Sequence, residues 1–178
     1  MVKVMHSSLL SRFVKGVVST GIGLLVSILF GFVNIMVVAR FISKEQFGVF
    51  ILLQVFIVFF IVVGDAGLNI ATVRYIASND EVDKKAKIIN TLLFSKSVIS
   101  LLLVILIVLF KNLLSFFFKS RVFDDIFFWI PILFLCENFY ALFNSLLQGL
   151  HLFRKLAISQ VVLSGLYLLV TILYLVVF

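Results

Sequence analysis

Long apolar stretches follow one another along this chain, separated by short polar clusters. A helix needs about 20 apolar residues to cross roughly 30 Å of hydrocarbon, and each stretch meets that length. The first uncharged run extends from Gly16 to Ala39, between Lys15 and Arg40. It is too long for the apolar part of a signal peptide and no small-residue cleavage site follows, so it reads as a retained helix. The second span begins near Phe47, after the loop around Ser43–Lys44–Glu45–Gln46. It stays apolar to Gly64, and the pattern predicts that it continues past Asp65 to about Ala77. Residues 78–87 form the most polar stretch, a loop leading into the third span. The expected spans are therefore approximately 16–39, 47–77, 83–110, 126–150 and 156–178. Lys111 to Asp125, with Ser115-Phe116-Phe117-Phe118-Lys119 inside it, reads as an interfacial segment. The last span is still apolar at Phe178 with no charge to stop it, and the expectation is the front part of a longer protein.

Polar residues within the spans are arranged, not scattered. Gln160, Ser164, Tyr167, Thr171 and Tyr174 follow i, i+4, i+7, i+11, i+14 and so share one stripe of a helix. Glu137, Ala141, Asn144 and Gln148 repeat the pattern in the fourth span. In the first span Thr20, Gly23, Ser27 and Asn34 share a face, and Gly23, Ser27 and Gly31 offer small residues for close backbone approach. In the second span Gln54, Asp65 and Thr72 fall within a narrow sector. Such stripes are read either as helix–helix interfaces, with hydroxyls and amides bonding across the gap, or as the wall of a hydrated cavity.

Charges at membrane depth sharpen the choice. An Asp or Lys at a helix centre costs roughly 2.5–3.5 kcal/mol on insertion scales, so it persists only facing protein or water. Glu137 lies near mid-membrane on these span limits. Asp65 and Lys96 sit equally far from the middle of the loop between them, near Asp80. In an antiparallel hairpin they are level, and an ion pair locking the hairpin is expected. Either residue is also a candidate for a substrate path, as is Arg74 at the end of its helix.

Composition agrees with the pattern. The chain is 63% hydrophobic and 13% charged, whereas soluble domains run nearer half apolar and a quarter charged. Most of the surface must therefore face lipid. The formal charge is +7, but no cationic stripe interleaved with solvent-facing aromatics marks a nucleic-acid partner. The basic residues cluster between the spans instead, where they hold loops on the cytoplasmic side. With the N-terminus inside, Lys3, Arg12, Lys15, Arg74, Lys84, Lys85, Lys87, Arg154 and Lys155 are cytoplasmic. Arg40, Lys44, Lys111, Lys119 and Arg121 lie opposite, which favours that orientation by nine to five. The single cysteine, Cys136, excludes an intrachain disulfide. His6 and His151 have no metal-ligand spacing, and neither a cofactor motif nor a catalytic one occurs. An enzyme is not expected.

Three stretches carry a resemblance. Val37-Val38-Ala39-Arg40-Phe41-Ile42-Ser43-Lys44-Glu45-Gln46-Phe47-Gly48 is similar to the join between helices one and two of polysaccharide flippases. Gly64-Asp65-Ala66-Gly67-Leu68, followed by Val73-Arg74-Tyr75-Ile76-Ala77, resembles the end of their helix two. Leu147-Gln148-Gly149-Leu150-His151-Leu152-Phe153-Arg154 resembles the turn after their helix four. The likeness runs through nearly the whole chain. It implies an all-α membrane protein whose spans form most of the first lobe of a two-lobed alternating-access transporter. It further implies export of undecaprenyl-diphosphate-linked oligosaccharide across a bacterial cytoplasmic membrane, with membrane lipids as the other partner. Asp65, Gly67, Arg74 and Gly149 carry over as shapers of the second helix and of the cytoplasmic ends. Lys96 is the candidate cation for a diphosphate on depth alone. Asn144, Gln148, Gln160, Tyr167 and Tyr174 would offer a sugar its amides, hydroxyls and rings, and Glu137 is either an acid of the transport cavity or a satisfied buried carboxyl. The rival readings are a cation-coupled drug exporter of the same superfamily, with Asp65 or Glu137 holding the coupling cation, and a non-transporting assembly subunit.

Overall fold

The computed structural model describes residues 2–79, 81–112 and 127–177, with side chains described from residue 16 to residue 175 within those ranges. Six helices are described: α1 (Val2–Phe41), α2 (Lys44–Asp65), α3 (Leu68–Ala77), α4 (Val82–Leu109), α5 (Trp129–Gly149) and α6 (Phe153–Val177). Among the described residues, five helices are long and apolar enough to cross a membrane: Gly16–Phe41, Lys44–Asp65, Val82–Leu109, Trp129–Gly149 and Phe153–Leu175. The chain is an all-α, multi-pass membrane protein. The interfacial segment expected over 111–125 lies, beyond Asn112, outside the described residues.

The contacts divide the chain into two units. One holds residues 1–42 and 150–178, and the other residues 43–149. In the first, α1 packs along α6. Gly16 lies against Phe153, Gly23 against Ala157, and Gly165 against Phe30. The two sets of numbers rise together, so the helices run parallel. When two spans are parallel, the chain between them crosses the bilayer an odd number of times, and α2, α4 and α5 supply three crossings. At Gly23 an added Cβ would fall 2.8 Å from the Cα of Ala157. Glycine is needed there because the two backbones nearly touch, the close approach that small residues permit in lipid. Gly31, expected to extend the same small-residue face, has open space where a side chain would stand.

The second unit is built on α2, α3, α4 and α5. Ser43 caps α2 in a reciprocal box. Its hydroxyl accepts from the Gln46 N–H at 3.3 Å, and the Gln46 side chain accepts from the Ser43 N–H at 3.1 Å. Val49, Leu53 and Phe60 of α2 meet Leu103 and Ile107 of α4, Phe127 in the turn before α5, and Ile130 and Phe134 of α5 in one apolar cluster. Lipid tails are as apolar as these side chains, so shape and polar contacts, not apolar burial, decide how such helices pair. Phe60 sits edge-on to Phe134 with ring centres 6.4 Å apart. Gly64 faces Phe134 and Asn138, and Ile76 faces Gly149. The near-constant offset shows that α2 and α3 together run in the same direction as α5.

The expected single helix over 47–77 is interrupted. Ala66 and Gly67 take left-handed backbone conformations, with φ of 42° and 79°. Glycine adopts that region without steric cost, so Gly67 ends one helix and starts the next. Asp65 supports the restart: its carboxylate accepts from the Asn69 N–H at 3.2 Å, one of the donors that a helix start leaves open. At about 1.5 Å per residue, α2 alone is long enough to span the hydrocarbon, and α3 prolongs it beyond the break. Gln54, Asp65 and Thr72 therefore do not share one continuous helical face. Gln54 is exposed and Thr72 fully buried.

Candidate functional site

Where α2 breaks, the second unit encloses polar chemistry. The buried stripe of α4 runs Leu92, Lys96, Ser100, Leu103, Ile107, at helical spacing, and so carries a lysine and a serine into the packed interior. Lys96 is fully buried, and its ammonium donates to Asp65 Oδ1 at 3.2 Å. The Asp65 side chain retains 23% of its exposure. The pair expected from the hairpin geometry is present. A buried ammonium without a carboxylate would neutralise or seek water, which explains why the chain reaches across from the end of α2 at this level.

The polar contacts continue away from the pair. Ser100 Oγ donates to the Lys96 carbonyl at 2.6 Å, and Asn138 Nδ2 of α5 donates to Ser100 Oγ at 2.7 Å. Both Ser100 and Asn138 are buried. The sequence Asn138–Ser100–Lys96–Asp65–Asn69 is thus a connected chain of hydrogen bonds and one ion pair joining α5, α4, α2 and α3. Asn138 Oδ1 is buried without a hydrogen-bond partner, an acceptor that costs free energy where it stands. Gly64 makes room for this arrangement: a Cβ there would come 2.7 Å from Leu103 and 3.7 Å from Asn138 Nδ2. Chemically the cluster holds one fixed cation, one carboxylate with access to the surface, and two open acceptors, since Asn69 Oδ1 is also buried without a partner.

Other expected residues stand apart from it. Ile130, Phe134, Asn138, Leu142, Ser145 and Gly149 form the buried face of α5. The Glu137, Ala141, Asn144, Gln148 line lies one position away, about 100° around the helix. It runs along the edge of the packed face, with Glu137 and Asn144 half-buried and Gln148 exposed. Glu137 and Asn144 are both engaged with neighbours. Arg74 is exposed in the last turn of α3. Gly149 is a packing residue, since a Cβ there would meet Ile76 at 3.0 Å. Gly67 is the left-handed hinge of the break.

Within the first unit, Gln160 is half-buried and its Oε1 has no partner, whereas Tyr167 and Tyr174 are exposed. The hydroxyls of the stripes turn back on their own helices. Thr20 donates to the Gly16 carbonyl, Ser27 to Gly23, Ser164 to Gln160 and Thr171 to Tyr167. These four bonds all stay within their own helices. Ser100 and Asn138 were not singled out by the sequence. Their signal was position: Ser100 stands one turn after Lys96, and Asn138 one turn after Phe134.

A family model described as polysaccharide biosynthesis protein matches residues 13–178. No curated protein and no solved structure matches the chain.

Proposed function

The chain belongs to the polysaccharide biosynthesis protein family, and from that premise we propose that it forms the first lobe of an exporter of lipid-linked oligosaccharide. The substrate class is an oligosaccharide on undecaprenyl diphosphate, moved outward across a bacterial cytoplasmic membrane by alternating access. The family match over nearly the whole chain carries this reading, and five membrane-crossing helices support it. A sugar head group needs amides and rings: Asn144 and Gln148 would offer amides in the second unit, and Gln160, Tyr167 and Tyr174 an amide and rings in the first, with Glu137 as a candidate acid of the transport path. A diphosphate needs a cation, and the lipid tail remains in the bilayer.

The pairing of Asp65 with Lys96 weighs against a cation-coupled drug exporter that uses Asp65, because that carboxylate already holds a cation of the protein. Disrupting the gene is expected to remove surface polysaccharide and to leave lipid-linked units accumulating at the cytoplasmic face. Its full reading frame should restore export. Unchanged surface polysaccharide together with unchanged levels of lipid-linked units would exclude the function.

The same reading places the N-terminus and the loop after α3 in the cytoplasm, on the excess of basic residues there. With Cys136 replaced, cysteines are introduced singly at Asn79 and at Ser120 and treated with an impermeant thiol reagent on intact cells. Labelling is expected at 120 and not at 79. The opposite pattern would invert the orientation.

A further inference from the structure

The first unit contains a basic cavity that the transport reading does not use. It measures about 450 Å3 and lies beside Gly16, where the uncharged run of α1 begins after Lys15, and Phe153, the first residue of α6. Its wall joins His151, Arg154 and Lys155 to Ser19, Phe153 and Ile158. Three features shape it. Gly16 lacks the Cβ that would stand 2.6 Å from the Phe153 ring, so that ring lies directly on α1 and forms an apolar floor. His151 takes a left-handed conformation, φ 56°, which turns the chain sharply into α6, and its ring lies 5.8 Å from that of Phe153. Arg154 and Lys155 follow on the first turn of α6. Among the described residues no acid pairs with either.

Two cations without an acidic partner there, a histidine and a hydroxyl therefore stand over an apolar floor at a water–lipid boundary. A solvated basic loop needs no cavity, and an apolar groove needs no cations. Ile158 is exposed, and Val162 one turn further along α6 is exposed as well, so an apolar track leads from the cavity along the helix. A phosphate in the cavity with its hydrocarbon chain on that track satisfies both halves. Basic pockets between membrane helices take anionic head groups in this way.

We propose that this cavity binds a phosphate group carried on a lipid. The chemistry is met by an anionic phospholipid of the surrounding bilayer or by a polyprenyl diphosphate. The inference stands on the first unit alone and does not require that the chain transports anything.

The test is native mass spectrometry of the full chain in detergent. It is titrated separately with phosphatidylglycerol, a short polyprenyl diphosphate and phosphatidylcholine. At least one of the two anionic lipids should be retained more strongly than phosphatidylcholine, and the tighter of them identifies the source. Each basic side chain near an anionic lipid contributes about fivefold, so R154Q/K155Q should weaken that retention about thirtyfold. K84Q/K85Q, which removes two charges that are not part of the cavity wall, should change it less than about twofold on the same basis. I158W places a bulky ring in the cavity mouth at an exposed position while keeping every charge, and should also displace the anionic lipid. Equal retention of all three lipids by the unaltered chain overturns the proposal. An effect of K84Q/K85Q as large as that of R154Q/K155Q overturns it too, since general surface charge would then suffice. So does full retention in I158W.

Discussion

Replacing Asp65 with Asn is expected to lower the unfolding free energy by about 3 kcal/mol, the cost of leaving one member of a buried ion pair alone. Lys96 is fully buried and its ammonium bonds to that carboxylate. The same substitution weakens the acceptor for the Asn69 N–H at the start of α3, so the break in the helix loses support as well. Replacing Lys96 with Met in addition should recover part of the loss, because the uncompensated charge is then gone. Thermal and denaturant unfolding of the four proteins in one detergent gives the coupling energy. A coupling of at least about 1 kcal/mol is expected for groups in direct contact. Additive losses would show that the two side chains do not stabilise one another.

The pair was legible because an antiparallel hairpin makes sequence distance from its turn a measure of depth. Two charges equally far from Asp80 had to be level, and burial of both would have been too costly had they not met. The break beside them was harder to read. Gly64-Asp65-Ala66-Gly67 contains the residues that a break needs, a glycine for positive φ and an aspartate to cap the next helix. Yet apolar residues resume at Leu68 with the spacing of a helix, and periodicity alone does not register a two-residue interruption. The parallel course of α2–α3 and α5 shows why: the helix direction survives the break.

Asn138 was missed for a different reason. Sequence stripes rank residues by type, and Glu137, next to it, is the more conspicuous. The packed face of α5 is set instead by large apolar residues, Ile130, Phe134 and Leu142, and Asn138 falls on their line. The Ser and Thr stripes are a different case. Their alignment was visible, but a hydroxyl in a helix reaches the carbonyl four residues back, and Thr20, Ser27 and Thr171 all do so. Alignment by itself therefore does not distinguish an interface from a wet wall. The Lys96–Asp65 pair and the Asn138–Ser100 bond do join helices in the second unit, through rarer chemistry.

On the proposed export function, Glu137→Gln in the full-length protein is expected to reduce transfer of lipid-linked sugar about tenfold or more, the worth of one hydrogen bond to a charged group. Insertion and abundance should be unchanged. The basis is the placement of the Glu137–Asn144–Gln148 line at the edge of the packed face of α5. There Glu137 and Asn144 are half-buried, Gln148 is exposed, and Leu142 is 1% exposed. An acid on such an edge within an apolar helix must meet protein or water, since lipid contact is too costly. Glutamine keeps the shape of the side chain and removes its charge, so a purely packing role would tolerate the change in transport. Cysteines introduced at positions 144 and 142, with Cys136 replaced, separate the two cases further. A small polar thiol reagent should modify position 144 and leave position 142, which the packed face covers, unmodified. If position 144 is unreactive and Glu137→Gln lowers only abundance, Glu137 is a structural acid and the sugar path lies on another helix.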